Sequence, residues 1–254
     1  MKTIKEIEME ISACTTMDEI NASMHVNDDR KGVIRLLDKH RRRIENESML
    51  EDKYRAMNRY EDALRDDVQY IAGIDEAGRG PIAGEVVAAA VILPEDFHLP
   101  GLDDSKKLSS NKRLRFREII MEQTDYGIGI ASVEEIDELN IYQASRLAMK
   151  RAVENLARVP DHLLVDAMTI GVGIPETSII KGDANSVSIA AASVIAKTER
   201  DMMMAAYDAS YPGYGFGGHK GYGTKDHLKA LHSLGASEIH RQTFEPVKSV
   251  LFPR

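Results

Sequence analysis

Over residues 31–65 the apolar positions recur at helical spacing. Val33, Ile34, Leu36, Leu37, Ile44, Met49, Leu50, Tyr54, Met57 and Tyr60 fall on one side, with Lys, Arg, Glu and Asp between them. This pattern predicts an amphipathic helix, either one long one or two. A shorter helix is expected over residues 3–13, and Asp18 or Asn21 is placed to cap another. Residues 1–69 hold no proline and a single glycine, Gly32. From Tyr70 the period changes. Residues 70–75 form a short apolar run ending in acid, residues 85–93 are almost wholly apolar, and residues 127–131 form a third run. These predict strands, the second covered on both faces. Glycines 78, 80 and 84 give the first two a tight connection and hence antiparallel pairing. Ser132 with Glu135 reads as a capping box opening a long helix that runs to about Arg158 and ends before Pro160. Strands follow at 162–166 and 177–181. A second long helix is expected at about 186–207, then a glycine-rich loop, a helix near 224–234 and a short C-terminal helical piece.

Three strands in a meander, then strands joined by crossovers, give an α/β fold with a mixed sheet flanked by helices. The domain division expected is a small helical N-terminal extension over residues 1–69 and a catalytic domain over 70–254. The 254-residue chain has no apolar run long enough for a membrane span and no apolar leader after Met1. Its single cysteine, Cys14, rules out a disulfide framework and a thiolate zinc cluster. A cytoplasmic protein, acting as a monomer away from membranes, is the expectation. The net charge of −8 counts against a nucleic-acid binder that works by bulk charge. Such a ligand would require local positive charge and cations to offset clustered acids.

Four acids fall at or near predicted strand ends: Asp75 and Glu76 after the first strand, Asp166 after the fourth, Asp183 past the fifth. Strand ends on one sheet edge can gather side chains from distant positions. Converging carboxylates repel, and a hard divalent cation resolves the repulsion. Two such ions could clamp a phosphodiester. Spacing alone leaves the plainer alternative open, that these are ordinary strand-end acids. Likewise Gly78-Arg79-Gly80-Pro81 reads either as a simple glycine turn or as a close backbone approach with an arginine for phosphate.

Several blocks in order resemble the bacterial ribonuclease HII family. Residues 73–81 (GIDEAGRGP) resemble its signature, and 103–109 (DDSKKLS) its next motif. Leu164-Val165-Asp166-Ala167 and Lys181-Gly182-Asp183 are similar to the blocks carrying its third and fourth acids. Residues 188–197 (SIAAASVIAK) resemble its helix, and 218–224 (GHKGYGT) with His227 its late loop. The resemblance implies an RNase H-like five-stranded fold. It implies Asp75, Glu76, Asp166 and Asp183 as catalytic, metal-binding residues for Mg²⁺ or Mn²⁺, with two ions. The substrates implied are RNA–DNA hybrids and duplex DNA carrying single ribonucleotides, cut to 5′-phosphate and 3′-OH ends. Gly78, Arg79 and Gly80 would read the 2′-OH that separates RNA from DNA. Tyr222 would pack on the next sugar and favour deoxyribose there. Lys106 would contact a backbone phosphate; Ser193 and Lys197 are weaker candidates for substrate contact. A related nuclease preferring long hybrids and a non-enzymatic binding protein are the competing readings. All four acids being present disfavours the latter.

Other features are set aside. Residues 213–218 fit G-x-G-x-x-G but lack the strand-to-helix context a dinucleotide site needs; they are expected to be a flexible loop carrying Tyr222. His219, His227, His232 and His240 lack zinc-ligand spacing and are expected mostly at the surface or as caps. Residues 40–43 (HRRR) read as a solvated helix face, and Met202–Met204 as core packing with one side chain exposed.

Overall fold

The structure, a computed structural model, describes residues 2–253. These fall into two compact units: residues 2–56 with 99–101, and residues 57–98 with 102–253. The first unit is helical. Helix α1 (Ile4–Ser12) is opened by a capping box of Thr3 and Glu6. Helix α2 (Met17–Ala22) is opened by a second box, of Thr16 and Glu19, so the cap lies upstream of Asp18 and Asn21. The long helix α3 (Lys31–Met57) follows. Ile7, Ile11, Ile20, Val33, Leu36, Leu37 and Ile44 form this unit's core. The 40–43 run does not lie wholly in solvent. His40 is buried, and Arg43 donates to the carbonyl of Cys14 at 2.6 Å.

The second unit begins with the short helix α4 (Arg59–Leu64). Its elements then run β1 (Ile71–Ala77), β2 (Val86–Ile92), α5 (Ser110–Gln123), β3 (Asp125–Ala131), α6 (Val133–Leu139), α7 (Ile141–Glu154), β4 (His162–Asp166), β5 (Glu176–Ile179), α8 (Gly182–Asn185), α9 (Val187–Ser210), α10 (Phe216–His219), α11 (Lys225–Leu234) and α12 (Val247–Leu251). The five strands form one mixed sheet in the order β3-β2-β1-β4-β5. The β1–β2 and β2–β3 pairs are antiparallel; β1–β4 and β4–β5 are parallel. The expected α/β fold is therefore observed.

Two expectations are corrected. Helix α5 sits between β2 and β3, where the expected meander has no element. It buries little more than Phe116 and Ile120, so its periodicity is faint. The helix expected over 132–158 is two helices. Asn140, at φ 74°, ends α6 and caps α7 by accepting from the amides of Tyr142 and Gln143.

Helices cover both faces of the sheet, which is why every residue of β2 is buried. Alternation along β1 sends Ala72 and Ile74 into a core shared with Ala144, Ala148, Met149 and Ala152 of α7. Ile71 packs on the other face with Ile189 of α9. Gly73 lets α9 approach: a Cβ there would lie 2.1 Å from the Ser188 carbonyl carbon. The first turn of α9 is further held by Glu61 of α4. Its carboxylate accepts from the Ser188 amide at 3.0 Å and from the hydroxyls of Ser186 and Ser188 at 2.6 Å. A buried anion against a helix N-terminus is favourable.

Candidate active site

Asp75 and Glu76 lie within β1 rather than beyond it, paired in register with Ala89 and Ala88. Asp166 is the last residue of β4, the parallel neighbour of β1, and Asp183 sits in the single turn α8 after β5. Parallel alignment of β1 with β4 is what brings residues 90 positions apart to one edge. The backbone around these acids is held tightly. Ala167 and Lys181 are both left-handed, at φ 50° and 55°, an unfavourable region for residues with a Cβ. The Gly182 amide donates to the Asp166 carboxylate at 2.6 Å.

Burial raises the pKa of all four carboxyls, and repulsion from neighbouring acids adds to it. Asp75 is raised well above the usual range by burial, then by Glu76 and Asp166. Glu76 and Asp183 are each raised by burial and also feel Asp166. Glu76 has one carboxylate oxygen, Oε2, buried with no hydrogen-bond partner. A buried orphan acceptor beside like charges is costly unless a cation meets it. Among the described residues no three acidic, histidine or cysteine side chains are drawn close enough to chelate an ion as they stand. The Lys106 ammonium lies near these acids instead, 3.8 Å from Asp183, and its own pKa is raised by Asp104, Asp75, Asp183 and Asp166 despite partial burial. The donor set is all hard oxygen, one oxygen is orphaned, and a lysine partly balances the charge. The residues therefore fit a Mg²⁺- or Mn²⁺-type ion.

The other expected residues distribute around this edge. Ser193 hydrogen-bonds Asp75 and is linked to Ser105 at 2.9 Å, so it holds an acid in place. Lys197 is paired with Asp201 on its own helix. Arg79 is partly exposed, 3.4 Å from Glu76. Gly78 has φ 101°, and a Cβ there would lie 2.1 Å from Arg200 Nε, so only glycine fits. The exposed Tyr222 ring lies over Gly80, where an added Cβ would be 3.5 Å from the ring. The 213–218 segment is no flexible loop: it includes α10, and Phe216 is fully buried.

Three residues that frame the site lay outside the sequence expectations. Asp104 raises the pKa of Asp183 and neighbours Asp166. Arg241 is fully buried and donates to the carbonyls of Gly78, Arg79, Pro81 and Gly84. Arg200, also buried, donates to Ala83, Glu85 and Lys220. Two guanidiniums thus hold the glycine turn by its backbone. Arg241 lies beyond the blocks that carry the family resemblance, and a lone arginine in sequence reads as a surface charge.

The ribonuclease HII family model matches residues 72–247, and the model of the ribonuclease HII N-terminal domain matches residues 3–65. The chain belongs to the ribonuclease HII family. It is 51% identical over 251 residues to ribonuclease HII of Bacillus cereus strain ATCC 14579, covering 98% of each chain. It is 50% identical over 252 residues to that of Staphylococcus epidermidis, again covering 98% of each. Among solved structures, the ribonuclease H2 of Pyrococcus horikoshii OT3 shares the fold at TM-score 0.62 and 24% identity, over 72% of this chain and 97% of the other. RNase HII of Archaeoglobus fulgidus, solved in complex with PCNA, gives 0.60 and 26%, over 70% and 96%. As a ribonuclease HII this protein is a metal-dependent endoribonuclease that cleaves RNA in RNA–DNA hybrids. Among the described residues no helix is long and apolar enough to cross a membrane.

Proposed function

We propose that Asp75, Glu76, Asp166 and Asp183 are the catalytic carboxylates and that the enzyme incises duplex DNA 5′ of a single embedded ribonucleotide as well as cutting continuous hybrids. The observation that carries the reading is the gathering of four acids whose carboxyls burial raises, with Glu76 Oε2 buried among them and without a hydrogen-bond partner. These carboxylates would hold one or two Mg²⁺ or Mn²⁺ ions, which supply stabilisation of the charge that develops on a phosphodiester during hydrolysis. The chain's own groups bind and orient the substrate. Arg79 and Lys106, exposed at the rim of the acids, are placed to meet backbone phosphates. The Gly78–Gly80 backbone can approach a sugar without a side chain in the way, so a 2′-OH can be read there. Tyr222, over Gly80, would stack on the following sugar, where a deoxyribose fits and an added hydroxyl crowds the ring. Ser193 keeps Asp75 oriented. Cleavage of the bond to the upstream O3′ leaves a 3′-OH and a 5′-phosphate on the ribonucleotide.

The deciding experiment cuts end-labelled duplexes carrying zero, one or four ribonucleotides, first with Mg²⁺ and then with Mn²⁺. Incision 5′ of the single ribonucleotide, with ligatable 3′-OH ends, is expected. A protein that cuts the four-ribonucleotide strand and leaves the single one intact would reduce the reading to a hybrid-specific nuclease.

A further inference from the structure

Beneath Tyr222 lies a cluster of imidazoles that the chemistry above does not use. His227 and His240 are fully buried, and their Nε2 atoms are 3.0 Å apart. His240 Nδ1 accepts from the Ser237 amide at 2.9 Å and meets its hydroxyl at 2.7 Å. An amide can only donate, so His240 Nδ1 bears a lone pair and the proton of the neutral ring is on Nε2. That proton points at His227 Nε2, which must therefore accept. The proton of His227 is then on Nδ1, which donates to the Tyr222 carbonyl at 2.9 Å. A third ring, His219, stacks on His227 with centroids 4.1 Å apart. It accepts from the Gly221 amide at 3.2 Å and donates to the Tyr214 carbonyl at 2.8 Å. The buried Phe216 ring packs edge-on against His219 and His227 and at a tilt against His240.

Each proton in this array has one place. We infer that the chain Ser237–His240–His227 is a positioning device for Tyr222: two uncharged imidazoles in series, with His219 stacked on the second, hold the Tyr222 carbonyl and so set where its ring stands over Gly80. A proton added at His227 Nε2 would put two N–H groups face to face at 3.0 Å, and one added at His240 Nδ1 would face the Ser237 amide at 2.9 Å, so the array holds only when both rings are neutral. Burial favours that state, lowering the pKa of both rings. His227 and His240 are positioning residues; neither touches the acids. The inference rests on the proposed role of Tyr222 in discriminating sugars, and its test separates the two.

The first measurement is on the wild-type protein, by ¹⁵N-resolved NMR of the histidine rings at pH 7. The expected pattern is Nε2–H on His240 and Nδ1–H on His227, both neutral. The opposite tautomer on either ring, or a charged ring, overturns the chain. The second is a double-mutant cycle of His227→Leu and Tyr222→Ala, read as the ratio of cutting at a single ribonucleotide to cutting of a continuous hybrid. Each single variant should lower the ratio several-fold, and His227→Leu should lower it no further once Tyr222 is alanine. His227→Asn, whose side-chain amide can stand where Nδ1–H stood, should restore most of the ratio. A ratio unchanged in His227→Leu while Tyr222→Ala lowers it, or an equal loss in both backgrounds, overturns the inference. A ratio unchanged in Tyr222→Ala instead sinks the reading of the tyrosine, and the ring tautomers then decide the chain alone.

Discussion

Two regions of the second unit bury titratable groups within reach of one turn, and they do so in opposite ways. At the acidic edge, like charges converge and Glu76 keeps an acceptor without a partner. Beneath Tyr222, each ring nitrogen of His219, His227 and His240 has a hydrogen-bond partner. A buried polar group left unmatched is costly, and it persists where a ligand completes it. A buried network that is fully matched rigidifies and needs nothing more. The first fits the cation site proposed there and the second the scaffold inferred beneath Tyr222. The two also respond to acid with opposite sign. A carboxyl raised by burial binds more protons folded than unfolded, so its contribution falls as pH rises through the unfolded pKa of 3.8 towards the raised value. A histidine lowered by burial binds fewer protons folded. Its contribution is full above 6.5 and is lost as pH falls towards about 4 for His240.

The largest effect expected from this contrast is at the acids. Asp75→Asn should slow cleavage by about 1,000-fold or more, the size of several kcal/mol of lost charge stabilisation. Single-turnover assays measure it, and turnover within a few-fold of wild type would remove Asp75 from the chemistry. On the scaffold side, Arg241→Met leaves the carbonyls of Gly78, Arg79, Pro81 and Gly84 without their buried donor. It should cost roughly 3 kcal/mol in urea unfolding; a cost below about 1 kcal/mol would show that the turn holds itself. Between pH 7 and 5 the wild type should lose about 2 kcal/mol more stability than His240→Gln, since each unit of depression is about 1.4 kcal/mol. Equal losses would mean that His240 titrates normally. The smallest effect returns to the acids. In chelator, Asp75→Asn should melt about 2–4 °C higher than wild type, the shift of about 1 kcal/mol of relieved repulsion. A lower melting point would show that the acidic edge carries no strain.

Much of the second unit was legible before the structure. The buried strand over 85–93, the acid ending β4 and the long helix α9 follow from local pattern. Helix α5 was not, because it lies on the surface with two buried residues and an almost uniform polar composition. The break at Asn140 was hidden because the apolar spacing continues across it. The late histidines were misjudged for a different reason. Their spacing is wrong for zinc, and the surface placement expected of them fails for His227 and His240, which are buried, while His219 is half-buried and His232 alone is exposed. Residues 57–64 belong to the amphipathic run of the N-terminal region in sequence, yet they lie in the second compact unit, where Glu61 caps α9.

The sequence by itself determined most of the strand and helix segments and offered the carboxylates proposed as metal ligands, because periodicity, caps and motif blocks are local properties of the chain. Only the tertiary structure decided that Asp166 stands beside β1, that Arg241 reaches back to the glycine turn, and that two buried imidazoles share a proton beneath Tyr222. Those relations depend on parallel pairing, on a contact across 160 residues and on rings from separate segments meeting, and no local pattern encodes where a proton must sit once the partners meet.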